Sequence, residues 1–213
     1  MGVAQRKDRK IDARTRICRA GLAEFATKGF DGANLVSIAA DAEVSQPNIH
    51  YHFKTKLDLW RAAMLYLGQT LERDRETLRC ANSLLDPLAQ LKLATLGILE
   101  TAARSPEFGR IILAEGQVSS ERLEWLMNEV FGEFYAEYLE LINRCIADGL
   151  IKPYRPHHIV MLLHGAAVTQ FNVAPLVANM FAEDVREPDN VAAFRKLYLD
   201  VIFSGLIAAP KEG

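Results

Sequence analysis

Cysteine is scarce in this chain. Cys18, Cys80 and Cys145 are widely spaced and odd in number. Neither a disulfide framework nor a zinc cluster fits that pattern, and reduced, buried thiols are expected instead. No metal site and no cofactor are expected. Long apolar runs are missing as well. No stretch reaches the ~18 apolar residues of a membrane span. The basic start is not followed by the apolar segment of a secretory signal, so a cytoplasmic protein is expected. β-alternation and internal repeats are absent. So are a glycine-rich phosphate loop and any pairing of a nucleophile with a base. No catalytic residue is assigned, and an enzyme is not expected. Charge of one sign is barely in excess, with a net of −2.

Half of the 213 residues are hydrophobic, enough for a sizeable core. The charge is unevenly placed. Residues 1–60 carry 10 Lys/Arg against 7 Asp/Glu, so they are positive and the remainder negative. Arg6, Lys7, Arg9 and Lys10 form a basic arm suited to a polyanion.

The apolar periodicity is helical nearly throughout. Ile11, Thr15, Cys18, Leu22 and Phe25 make one stripe, on a helix that Gly29 should stop. Asn34 can cap a short second helix and Ser45 a third, in which Pro47 falls in the first turn. Thr55 caps a long fourth. Asp86-Pro87, Ser105-Pro106 and Ser119 or Ser120 open three more; Gly149 closes the last of these, with Leu150 as the apolar contact of a Schellman stop. Pro156 and Pro188 start the eighth and ninth, and Pro175 should kink or end the eighth. The chain reads as all-α with about nine helices. Residues 1–54 form a three-helix unit with the basic arm, and residues 55–213 a larger helical domain.

Residues 34–53 read as a helix-turn-helix. With Gln46 at zero and about 100° per residue, Ile49 and Phe53 fall at about 300° and 340°, while Pro47, Tyr51 and Asn48 fall at about 100°, 140° and 200°. Ile49 and Phe53 are therefore the buried edge. Gln46, Pro47, Asn48 and Tyr51 face outward, with His50 and His52 at the margins. Gln and Asn side chains can pair with adenine in the major groove. Tyr51, the histidines, Lys54 and Lys56 can reach phosphates. Asn34, Ser37 and Ser45 complete the candidate DNA-facing set. His50 and His52 point ~160° apart and cannot share a metal.

The segment AGLAEFATKGFDGANLVSIAADAEVSQPNIHYHFKTKLDLW resembles the DNA-binding domain of the TetR family of bacterial transcriptional regulators. Arg14 to about Met64 carries the resemblance. The helical pattern and IADGLIKPYRP fit the less diagnostic C-terminal half of that family. The resemblance implies a homodimer, with the last two helices of each copy in its interface. It also implies a small-molecule pocket among the middle helices, whose occupation separates two reading heads and releases a pseudo-palindromic operator. One departure stands out: Glu43 occupies a turn position where the family usually has glycine.

Candidate effector residues are Met64, Leu67, Phe108, Trp125, Met127, Phe131, Phe134, Tyr135, Tyr138, His164 and Gln170. Aromatic stripes also build plain cores. His164 and Gln170, polar in an apolar helix, suit either a ligand or the dimer interface. Candidate interface residues are Val160, Ala167, Phe171, Phe194, Leu197, Tyr198, Val201 and Ile202. A repressor, an activator of the same fold, and a helical ligand carrier without DNA binding all fit the sequence. The partners expected are operator DNA, a small-molecule effector and a second copy, with no membrane.

Overall fold

The computed structural model describes residues 12–82 and 84–209; of the positions noted above, the basic arm, Ile11 and the side chain of Cys80 lie outside what is described. The chain is all-α. Its helices are α1 (Ala13–Gly32), α2 (Leu35–Asp41), α3 (Gln46–His52), α4 (Lys56–Asn82), α5 (Pro87–Arg104), α6 (Glu107–Glu115), α7 (Glu121–Leu126), α8 (Gly132–Ala147), α9 (Pro156–Asn172), α10 (Ala174–Phe181), α11 (Pro188–Tyr198) and α12 (Ser204–Leu206). A π-helical turn, Met127–Phe131, joins α7 to α8, and another, Leu199–Phe203, joins α11 to α12. Counted as continuous rods, these are ten helices. The tenth arises at Pro175: α9 ends at Asn172, and α10 departs from it at 66°. A proline near a helix start has no N–H to leave unsatisfied, so the chain restarts there. Among the described residues, Ile151 and Ile207 form an isolated antiparallel bridge.

The chain divides into two compact units, one up to Leu67 and one from Gly68, and α4 contributes to both. In the first unit, α1, α2 and α3 pack on one another. Ile17, Cys18, Leu22, Phe25, Ile38, Ile49 and Phe53 are buried there, with Leu59 and Trp60 from the start of α4. Ile17 lies beside the expected stripe and is fully buried. α1 is covered by more than one neighbour, so its buried arc is wider than a single stripe. Gly29 breaks the helical course at φ 70, and the chain resumes as helix to Gly32.

The helix starts follow short-range hydrogen bonding. The Asn34 side chain accepts from the N–H of Val36 at 2.8 Å. Thr55 and Asp58 cap reciprocally, each accepting from the other's N–H at 3.0 Å. Asp86 and Ser120 cap α5 and α7. Ser45 does not cap with its side chain; the N–H of Asn48 donates instead to the Ser45 carbonyl at 2.9 Å. Ser105 does not cap either, because Pro106 takes the cap position of α6.

In the second unit, α5 packs against α8 and α9, and α6 against α9. Leu91, Leu99, Ile142, Leu163, Phe171 and Phe203 belong to its core. Two buried hydroxyls are satisfied inside it. Tyr138 pairs with Thr95 at 2.6 Å, and Tyr198 donates to the Leu163 carbonyl at 2.8 Å. Gly149, at φ 69, closes the helix: its N–H donates to Ile146, and that of Leu150 to Cys145. That is the Schellman stop expected from the sequence.

Candidate nucleic-acid interface and effector cavity

α3 is held to its unit by Ile49 and Phe53, 1% and 4% exposed. The guanidinium of Arg14 lies over the Phe53 ring at 5.3 Å. On the other side, Gln46, Pro47 and His50 are exposed, and Tyr51 is 85% exposed. His52 is half-buried, its ring edge-on to Tyr51 at 5.1 Å. Asn48 departs from the angular expectation. It is half-buried, and its Oδ1 is sequestered with no hydrogen-bond partner among the described residues. α3 packs on both α1 and α2, so its buried arc extends past the single edge read from the sequence. Asn34 and Ser45 are exposed, and Ser37 is half-buried. Lys54 is exposed. The Lys56 ammonium is engaged within the unit, donating to the Asp31 carbonyl at 3.0 Å and lying over the Phe30 ring at 5.2 Å.

Two side chains from α1 fix the position of the pair. Glu24, 8% exposed, accepts the N–H of Asn34 at 3.1 Å and pairs with Lys28 at 3.3 Å. Arg16 Nε donates to the Ala42 carbonyl at 3.0 Å, at the end of α2. The turn then runs through Glu43 at φ 54, a left-handed residue. The N–H of Glu43 donates to Ala40 and that of Val44 to Ala39, so Glu43 occupies the glycine position of a Schellman stop. A side chain there is strained. Glu43→Gly is expected to raise stability by ~0.5–1 kcal/mol, since relief of strain outweighs the added freedom of the unfolded chain. A urea midpoint unchanged or lowered would contradict this.

The second unit contains a cavity of about 380 Å³. Leu71, Ile98, Phe108, Val130, Phe131, Phe134, Tyr138 and Leu141 give it apolar walls. Glu72, Arg75, Gln90, Thr101, Glu137, Glu140 and Arg144 supply the polar part. The π-helical turn places Val130 and Phe131 in the wall, a local irregularity often found at functional sites. Phe108 meets Phe131 edge-on at 5.1 Å, and Phe134 stacks on Tyr138 at 6.0 Å. Burial pushes the Tyr138 hydroxyl well above the usual tyrosine range.

Of the candidate effector residues, Phe108, Phe131, Phe134 and Tyr138 line this cavity. Met64 and Leu67 are buried in the first unit. Trp125, Met127, Tyr135, His164 and Gln170 are not in its lining. His164 is 6% exposed and sits behind the wall, 5.4 Å from the Phe108 ring. Its Nδ1 pairs with the Tyr135 hydroxyl at 3.0 Å. It therefore faces into its own unit, and burial lowers its pKa to about 4. The lining charges on α4 and α8 were not among the candidates. The seven-residue spacing of Glu137 and Arg144, with Glu140 between, is the signal that marks that polar edge.

The candidate interface stripe divides. Val160, Ala167, Phe171 and Tyr198 belong to the chain's own core at 7%, 0%, 0% and 2% exposure, so they have no surface to offer a partner. Phe194 and Ile202 are half-buried against that core. Leu197 and Val201 are exposed at 56% and 57%. On α9 the exposed apolar residues are the neighbours Met161 and Leu162. α9 is apolar on both faces, and the bulkier arc turns inward.

No cluster of His, Cys, Asp or Glu placed for a metal occurs among the described residues. No single described helix is long and apolar enough to cross a membrane.

Residues 17–63 match the family model described as bacterial regulatory proteins, tetR family. Residues 87–202 match the tetracyclin repressor-like C-terminal domain. The helix-turn-helix-type transcriptional regulator RutR of Escherichia coli K12 is 27% identical over 186 residues, covering 85% of both chains. The ketosteroid transcriptional regulator KstR2 of Mycobacterium tuberculosis shares the fold at a TM-score of 0.71 and 16% identity, with 93% of this chain and 96% of that one covered. The regulator FadR of Bacillus subtilis, solved with stearoyl-CoA, does so at 0.63 and 18% identity, covering 89% and 97%. Since the two family models meet the two compact units, one across the exposed reading helix and the other across the helices that enclose the cavity, the chain belongs to the tetR family of helix-turn-helix transcriptional regulators, which is not an enzyme family.

Proposed function

We propose that this regulator is a homodimeric repressor that occludes a pseudo-palindromic operator and is released by a small-molecule effector. α4 is shared: it begins shortly after the reading helix, and Gly68, Leu71, Glu72 and Arg75 along it line the 380 Å³ cavity. A ligand in that cavity touches the same helix that supports the reading head. The volume is in the range of small-molecule sites, and the mixture of rings and a few charges suits an effector. The fold relative FadR was solved with stearoyl-CoA, which supports a cavity of this kind as a ligand site. The reading part, residues 1–54 by sequence, takes in the start of α4 as far as Leu67, and the remainder serves as the effector and dimerisation part. Two reading helices would enter successive major grooves about 34 Å apart or somewhat more. Exposed Met161 and Leu162 on α9, Leu197 on α11 and Val201 just past its end supply an apolar face for the second copy.

A gel shift with the intergenic DNA upstream of the gene, run with and without metabolite extract, tests both halves. Retardation that the extract relieves is expected. No retardation would reject operator binding, and retardation insensitive to every extract would reject effector release. A light-scattering mass equal to the 23.8 kDa monomer would reject the dimer. Within the reading face, Gln46→Ala is expected to cost on the order of 1–3 kcal/mol at the true operator and to relax base preference at one position. Unchanged discrimination among operator variants would remove Gln46 from the reading face.

A further inference from the structure

Arg75 stands in the cavity wall with its side chain 21% exposed. It is held from three sides. Glu72, on the same helix, accepts from it at 2.7 Å and is 47% exposed. Glu137, on α8, accepts from its other terminal nitrogen and is 45% exposed. The guanidinium also lies over the Phe134 ring at 5.2 Å. These exposures decide which group yields to a charged ligand. A cation would have to capture a carboxylate and leave a part-buried guanidinium in competition with it on an aromatic face. An anion requires that Glu137 give up Arg75, and a carboxylate already 45% exposed is solvated as it leaves. Arg75 meanwhile keeps Glu72 and the ring, and presents a planar fork suited to two carboxylate oxygens. Beyond it, Phe108, Phe131 and Leu141 offer apolar surface. Glu72, Glu137 and Glu140 face the cavity against Arg75 and Arg144, which opposes a ligand carrying several negative charges.

Resting on the reading of this cavity as the effector site, we infer that its ligand is an organic monocarboxylate with an apolar or aromatic body, whose head group takes Arg75 from Glu137. Ligand binding then breaks the ion pair that ties α4 to α8. The test is calorimetry on the full chain with phenylacetate and octanoate, with their amides, with octylamine and with octanoyl-CoA. At least one of the two carboxylates is expected to bind, and its amide to bind roughly 10- to 100-fold more weakly, the loss of a charge-assisted pair. Glu137→Gln removes the competitor at a half-exposed position and is expected to tighten carboxylate binding several-fold; Arg75→Gln is expected to abolish the preference for carboxylate over amide. Equal binding of amide and carboxylate, preference for the amine or the CoA thioester, weakening by Glu137→Gln, or no carboxylate binding at millimolar concentration would each overturn the inference. Gel shifts with the same compounds separate the two readings. Carboxylate binding that leaves DNA retardation unchanged rejects the effector role and keeps the ligand class. Release of DNA by the amine rejects the ligand class and keeps the effector role.

Discussion

Phe53→Ala is expected to abolish DNA binding for every sequence, while Tyr51→Ala, two residues away, leaves the fold intact. Phe53 is 4% exposed and carries the Arg14 guanidinium on its ring. Truncating a buried phenylalanine costs about 3–5 kcal/mol, through lost transfer energy and the cavity left behind. The first unit is small, and such a loss is a large share of the stability a domain of that size has. The damage also falls at the hinge between α3 and α4, where the aromatic ring closes the end of the reading helix. Tyr51 is 85% exposed, so its truncation should shift unfolding by no more than about 0.5 kcal/mol. Its effect is expected in DNA affinity and not in stability. Urea unfolding and operator binding measured on both variants separate the two roles. Comparable unfolding midpoints would show that Phe53 does not anchor the helix.

The second large effect is acid destabilisation through His164. Burial lowers its pKa from 6.5 to about 4 in the folded chain. Between those values the unfolded imidazole takes up a proton that the folded one refuses. The unfolded state therefore gains as pH falls through that window. The contribution of His164 is fully present above about pH 6.5 and is lost progressively toward pH 4. The whole difference is worth up to about 3 kcal/mol. In His164→Gln the amide can still accept from or donate to the Tyr135 hydroxyl, and this part of the slope disappears. Unfolding free energies of wild type and variant, measured from pH 7 down to pH 4, should converge as pH falls, relative to their difference at neutral pH. Parallel curves would mean that His164 is protonated in the folded state as readily as in the unfolded one.

Much of the reading head was legible in the sequence because α3 buries Ile49 and Phe53 on one side and exposes the opposite one. Counting angles along α3 put Ile49 and Phe53 inside, and Gln46, Pro47 and Tyr51 outside, where they lie. The count failed for Asn48, because two helices cover α3 and one edge does not describe the contact. Caps were legible where the side-chain oxygen takes the N–H two or three residues on, as at Asn34, Thr55 and Asp86. They were not at Ser45 and Ser105, where the backbone carbonyl or a following proline takes the place. Glu43 was legible as an exception, and its φ of 54 gives the exception a physical content. The apolar helices were harder. On α9 and α11 both arcs are apolar, so a periodic stripe does not say which arc meets the core. Nor could periodicity show the charges of the cavity. Arg75 and Glu137 are brought together by α4 and α8 across 62 positions of chain, and only the folded packing pairs them.

α4 has a bearing on how such regulators can be taken apart and recombined. The boundary between the compact units falls at Leu67–Gly68, inside a helix and not in a loop. A reading head cut at the loop before Lys56 would leave behind Leu59, Trp60, Ala63 and Met64, all fully buried. It would shed part of its own core along with the cavity. A hybrid that exchanges heads must therefore be spliced within α4, past Leu67. There each residue inserted or deleted turns everything downstream by about 100°. If the cavity releases DNA as proposed, only grafts that preserve helical phase will pass the signal, and the head is then exchangeable as a length of helix with a defined register, not as a bead on a string.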